Sequence, residues 1–229
     1  NIYGLYCYLD YFDIQDEIEK EYKIGCMICD VAKEANVKHI IWVSMEPVEK
    51  FTGGKLKISF FDGKSKVSEY CKKNNLPFTE IIPAFYMENF LKNLKPRKEK
   101  DGTYTFLLPL GDKPLDLISI EDLGGVVVKI FDNREQWIHK SLGIAGDSLT
   151  GFQIAETFEK YTKKKTKYEN ISVDDFKKMD IPHADQLALM FQFYSEFAGK
   201  LKDIQQSRKL NPEMKTFEEW MKIHTSAFA

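Results

Sequence analysis

The chain has 229 residues, of which 43% are hydrophobic and 14% aromatic, and its 33 Lys plus Arg against 35 Asp plus Glu leave a formal net charge of -2. That content can bury a sizeable core, and near neutrality excludes a global field that would draw nucleic acid or an anionic membrane. No apolar run reaches the ~18 residues of a membrane-crossing helix, and four cysteines suit a reducing compartment, so a cytoplasmic location, extending to the nucleus, is expected.

In chain order, Gly4 to Leu9 reads as a strand and Ile14 to Ala35 as a helix, with Ile14, Ile18, Tyr22, Cys26 and Cys29 as its buried face. Cys26-x-x-Cys29 falls on that face and has no second CxxC, while the four histidines (His39, His139, His183, His224) are scattered. Buried thiols are therefore expected, with neither a zinc site nor a nucleophile-histidine pair. His39 to Val43 is a nearly all-apolar strand, Phe60 to Lys73 a helix and Phe78 to Ile82 a strand. This alternation predicts crossover units and an open, doubly wound parallel sheet of the dinucleotide-binding, Rossmann-like kind.

A short helix follows near Tyr86 to Leu94, then a hairpin near 101–110 signalled by Asp101-Gly102. Ser119 and Asp122 have capping-box spacing ahead of a helix through Val128 and Phe131, and the spacing recurs at Thr150/Gln153, Ser172/Asp175 and Thr216/Glu219. The expected organisation is a Rossmann-like part over 1–146 and a smaller, mostly helical lobe over 147–229, with one short strand near Tyr168. Phe191, Phe193 and Tyr194 have helical spacing and are read chiefly as packing between lobes, otherwise as a protein interface.

Such a domain holds pyrophosphate on a Gly-rich turn between its first strand and first helix. The one candidate turn, Gly143-Ile144-Ala145-Gly146, has a wrongly spaced third glycine, and Asp147, Ser148 and Thr150 offer ordinary helix-capping groups. It is read as a capped turn.

The runs "FFDGKSKVSEY", "PFTEIIPAFYMENF", "GDKPLDLISIEDLG", "LALMFQFY" and "LNPEMKTFEEW" resemble, in this order, those of the NmrA-like family, and most of all its NADP(H)-sensor (HSCARG) branch. That family consists of atypical short-chain dehydrogenase relatives with a large NADP-binding Rossmann domain and a smaller C-terminal domain. The resemblance implies a redox-sensing regulator that changes protein partners and oligomeric state, including a homodimer, with the NADP(H) level. Against the family pattern the chain starts at the strand that would come fourth, about 70 residues in. It is then either a fragment or a variant without the Gly-rich half of its cofactor site.

Carried over motif by motif, the cofactor-contacting positions are Asp10, Tyr11 and Phe12 after the first strand, Lys23 on the following helix, Lys64 of F-D-G-K, and the turn Tyr86, Met87, Glu88 and Asn89, where Met87 replaces a phenylalanine. In catalytic relatives a tyrosine four residues before the lysine donates the proton, one helical turn away on the same face. Phe60 stands there and has no proton to give. A helper serine would sit near Val43-Ser44. The expected role is a non-catalytic NADP(H)-responsive regulator; the alternatives are a cofactor-free interaction module and an atypical NADPH-dependent reductase. Gly63, inside the helix that carries Lys64, costs ~1 kcal/mol against alanine and signals close approach of another backbone or a ligand.

Overall fold

The computed structural model describes residues 2–11 and 18–228. It divides into two compact units, 1–83 with 124–143 and 84–123 with 144–229. The units interleave along the chain, so no single cut, at 146 or elsewhere, separates them.

The first unit is a four-stranded sheet in the order β1-β2-β3-β8, made of β1 (Gly4–Cys7), β2 (His39–Val43), β3 (Phe78–Pro83) and β8 (Ser141–Ile144). β1 pairs with β2, and β2 with β3, in parallel. β2 is buried throughout because helices cover both faces. On one face Ile40 and Trp42 join a core with Cys7, Cys29, Val67 and Cys71 under α1 (Ile18–Glu34) and α3 (Ser59–Lys73). On the other, His39 meets Phe131 of α4 (Leu123–Asp132) edge-on at 5.5 Å. The expected doubly wound, Rossmann-like arrangement is present. Short helices α2 (Val48–Phe51) and α5 (Arg134–Trp137) complete the unit.

The buried face of α1 differs from the expected stripe. Glu21, Gly25, Cys29 and Ala32 are buried, whereas Ile18, Tyr22 and Cys26 are only half-buried. The cause is the contact with α3: a Cβ on Gly25 would stand 2.5 Å from Val67 Cγ2, so the residue without a side chain sits at the closest approach. A glycine adds nothing to an apolar stripe, so the apolar pattern of the sequence runs one residue out of phase with the buried face.

The second unit begins with β4 (Phe85–Tyr86), a 3-10 turn over Met87–Leu91, and the hairpin β5 (Arg97–Lys98) to β6 (Tyr104–Leu108) around Asp101-Gly102. β7 (Pro114–Ile118) pairs in parallel with β4 and antiparallel with β9 (Asp147–Thr150). β10 (Thr166–Asn170) pairs in parallel with β6. These two pairings stitch 84–123 to the C-terminal segment. The rest is helical: α6 (Gly151–Thr162), α7 (Val173–Phe176), α8 (Ala184–Glu196), α9 (Ile204–Leu210) and α10 (Phe217–His224).

Thr150/Gln153 and Thr216/Glu219 form complete capping boxes, and Ser172 caps α7 by accepting the Asp175 N–H. Ser119 does not cap, for a reason given below. Of the groups following Gly146, only Thr150 caps its own helix; Asp147 accepts the Phe217 N–H at the start of α10 and Ser148 donates to Asp116. Phe191, Phe193 and Tyr194 are buried inside this unit, Phe191 lying 5.6 Å from Phe85 and 5.3 Å from Phe176. No described helix is long and apolar enough to cross a membrane.

Candidate functional site

The F-D-G-K run, Phe61-Asp62-Gly63-Lys64, opens α3, and each residue has a physical task. Phe61 is fully buried in the core. Asp62 fastens the helix start, its carboxylate accepting the N–H groups of Ile58 and Glu49, each at 3.0 Å. Gly63 leaves room for another side chain: a Cβ there would stand 2.6 Å from Glu21 Oε2. The close approach that the glycine signalled is therefore that of a carboxylate from α1.

Lys64 is the centre of the constellation, with its side chain 5% exposed and that of Glu21 fully buried. Its ammonium donates to Glu21 Oε1 and, at 2.8 Å, to the Leu9 carbonyl just beyond β1. It lies 5.6 Å from the centre of the Tyr8 ring, within cation–π range. The Lys64 carbonyl accepts the Trp42 indole N–H, which ties this turn of α3 to β2.

Glu21 Oε2 is buried and has no hydrogen-bond partner among the described residues. Burial pushes the Glu21 carboxyl above its ordinary pKa, Lys64 pulls it back in part, and the charge of Asp10 adds to the upward push. A half-satisfied carboxylate and an ammonium with three N–H groups, two of them committed, leave one acceptor and one donor side by side. That set fits a sugar hydroxyl pair, which can donate to one and accept from the other.

Phe60, one turn before Lys64, is buried, and its ring is 6.1 Å from that of Tyr11 and 4.9 Å from that of Phe61. Ser44 is also buried; its hydroxyl donates to Met45 O and accepts from Ser68. Of the residues selected from sequence, Lys64 is bonded to Glu21, Asp10 is near enough for its charge to act on Glu21, and Tyr11 lies against Phe60. Lys23 is exposed on α1, and Phe12 lies outside the described residues.

The other four belong to the second unit. Tyr86 is half-buried in β4 and Met87 is completely buried. The Glu88 carboxylate accepts from Ser119 Oγ at 2.8 Å, the Ile120 N–H at 3.1 Å and the Trp220 indole N–H at 3.1 Å. Glu88 thereby supplies the cap that Ser119 was expected to provide, and the Ser119 hydroxyl is spent on it. The Asn89 carbonyl accepts the N–H groups of Lys92 and Leu94 in the turn.

Sequence alone does not single out Glu21, since a lone glutamate on an amphipathic helix reads as part of the solvent face, whereas here it is buried. The usable signal was indirect: two glycines, Gly25 and Gly63, within helices that must pack closely. No group of three or more His, Cys, Asp or Glu side chains suited to a metal ion occurs among the described residues. Between β1 and α1 the sequence Tyr8 to Glu17 contains four acidic residues and no glycine, which does not suit a phosphate.

The model of the NmrA-like family matches residues 3–221. The chain is 29% identical over 194 residues to an NmrA-like family domain-containing protein of Dictyostelium discoideum, covering 81% of this chain and 63% of the relative. It is 31% identical over 200 residues to the NmrA-like family domain-containing oxidoreductase FrzB of a Cladobotryum species, covering 79% of this chain and 59% of the relative. It thus spans about three fifths of the length of these relatives. The crystal structure of NmrA, a negative transcriptional regulator, in complex with NAD superposes with a TM-score of 0.80 at 22% identity, over 99% of this chain and 76% of that one. The same regulator has been solved with NADP, with a TM-score of 0.78. At that identity the likeness establishes the fold.

Proposed function

This chain belongs to the NmrA-like family, and on that premise we propose that it is the nicotinamide-side part of an NADP(H)-responsive regulator, which passes redox state to a protein partner without itself turning over substrate. The observation that carries this is the pairing of a buried, half-satisfied Glu21–Lys64 site with a buried phenylalanine where a proton donor would stand. Lys64 and Glu21 hold the ribose hydroxyls: one hydroxyl accepts the uncommitted N–H of the ammonium and its neighbour donates to Glu21 Oε2. Asp10 and Tyr11 close over this end. The dinucleotide, when bound, supplies a redox state to be read; the phosphates require residues other than the acidic Tyr8 to Glu17 segment.

A regulatory protein partner or a second copy of the chain, to which the redox state is passed, is part of the same proposal. Location in the cytoplasm and nucleus belongs to the same proposal.

Calorimetric titration of NADPH against the full-length protein and the 229-residue chain tests it. Binding by the full-length protein is expected, weakened about tenfold or more by Lys64→Met, since a hydrogen bond to a charged group contributes ~1.5–3 kcal/mol. Absence of binding by both would leave only the cofactor-free interaction module.

A second possibility, an NADPH-dependent reductase, is favoured by the tyrosine beside Phe60 and by the naming of FrzB as an oxidoreductase. In that case Tyr11 donates the proton. Steady NADPH consumption with quinones or aldehydes that is abolished by Tyr11→Phe would replace the regulator with the enzyme.

A further inference from the structure

All four cysteines, Cys7, Cys26, Cys29 and Cys71, belong to the first unit. Two of them, Cys29 and Cys71, are completely buried, with their sulfurs 3.1 Å apart across the contact between α1 and α3. They occupy a defined place on that contact. Glu21 meets Lys64, Gly25 meets Val67 one turn on, and Cys29 meets Cys71 a further turn on. The two helices run parallel, and their seam has one cross-contact per turn, beginning at the ion pair and ending at the thiol pair. With Gly25 letting the helices approach closely, the two thiols are held together by packing on both sides of the seam.

We propose that Cys29 and Cys71 form a redox-modification site, a dithiol that closes to an intramolecular disulfide and covalently locks the end of the α1–α3 seam whose other end holds Lys64. Hydrogen peroxide is the oxidant class, small enough to follow water through local opening of the helix pair. Either thiol can donate to the other across this contact; donation from Cys71 lowers the Cys29 pKa and raises that of Cys71, the arrangement that makes Cys29 the nucleophile. Its thiolate attacks one peroxide oxygen; the O–O bond breaks, the departing hydroxide takes up a proton to become water, and Cys29 becomes a sulfenic acid. The Cys71 sulfur then attacks the Cys29 sulfur, the S–O bond breaks and the hydroxide leaves with the Cys71 proton as a second water. Two thiols have given two electrons to one peroxide. A dithiol reductant reverses the closure by exchange through a mixed disulfide.

The site is independent of the dinucleotide proposal, because it needs no bound ligand and its test uses none. Full-length protein is treated under native conditions with hydrogen peroxide and, separately, with diamide. It is then alkylated in denaturant, digested without reduction and mapped by mass spectrometry. The expected product joins the Cys29 and Cys71 peptides, disappears with dithiothreitol, and forms equally in Cys26→Ser, whose altered residue is half-buried. Oxidised protein should also show slower amide exchange along α1 and α3. In Cys71→Ala the resolving thiol is gone, and Cys29 should proceed to sulfinic acid. Recovery of Cys29 and Cys71 as separate alkylated thiols after both oxidants, or their joining to Cys7 or Cys26 instead of each other, overturns the proposal. These native-protein measurements stand even where a buried substitution fails to fold.

Discussion

Two glutamates, one in each unit, show how differently a carboxylate can be kept away from water. Glu88 in the second unit has both oxygens engaged by neutral donors: a hydroxyl, a backbone N–H at a helix start and an indole N–H. It carries a structural load and has little acceptor capacity to spare. Glu21 in the first unit is more deeply buried, yet it has one oxygen on Lys64 and the other without a partner among the described residues. An unsatisfied buried acceptor costs ~1–3 kcal/mol, so a fold that retains one holds capacity for a ligand. Satisfaction, more than burial or charge, separates the structural carboxylate from the functional candidate.

The sharpest way to break that contrast is to remove one member of the ion pair. Lys64→Ala leaves Glu21 buried without its counter-ion and should lower the unfolding free energy by ~3–5 kcal/mol. The double substitution Glu21→Leu with Lys64→Met removes both charges and should return stability to within ~1 kcal/mol of the wild type. Urea denaturation of the three proteins measures both values. If the double variant is as unstable as Lys64→Ala, the pair is structural in the same sense as Glu88, and the contrast fails.

Glu88→Ala is the counterpart in the second unit. It orphans Ser119, the Ile120 N–H and the Trp220 indole together, and should cost ~2–3 kcal/mol, less than the Lys64 change because Glu88 is only half-buried and water can replace part of its acceptance. NADPH affinity should stay unchanged in the folded variant. A large loss of affinity with little loss of stability would move Glu88 to the functional side.

How far sequence could reach follows from the range of the interactions involved. β2 was legible to the residue, as were the boxes at Thr150 and Thr216, because those signals are local: an apolar run, or a hydroxyl three residues before a Glu or Gln. Lys64 was legible through the F-D-G-K run, and Gly63 announced a close neighbour without naming it. Glu21 was not legible, since only the packing of α1 on α3 tells its position from a solvent-facing one. Ser119 misled for the same reason: its box spacing is complete, but Glu88, distant in sequence, holds the hydroxyl more favourably than its own helix does. The parallel pairing of β10 with β6 likewise joins segments far apart in the chain, which is why 84–123 was assigned to the first part rather than the second.

The smallest effect expected from the contrast is in pH dependence. Burial raises the folded-state pKa of Glu21 above the ordinary glutamate value of 4.5. The folded protein therefore binds the Glu21 proton at a pH where the unfolded chain has already released it. The stabilisation from this proton is complete below 4.5 and is lost as pH rises through the folded-state value, so within that window Glu21 makes the protein more stable toward acid. Most carboxylates in ion pairs have the opposite sign. Glu80 in the same unit, held down by Lys72 and Ser141 against its own burial, loses its stabilisation as pH falls. The two windows meet at 4.5, that of Glu21 lying above it and that of Glu80 below it. Urea midpoints measured from neutral pH down to 4.5 should therefore shift toward lower stability in Glu21→Gln relative to the wild type as the pH falls, because the stabilisation that the Glu21 proton adds toward acid has been removed. Parallel profiles for the two proteins would mean that Lys64 neutralises the burial of Glu21 in full, leaving the unpartnered oxygen no influence on its protonation.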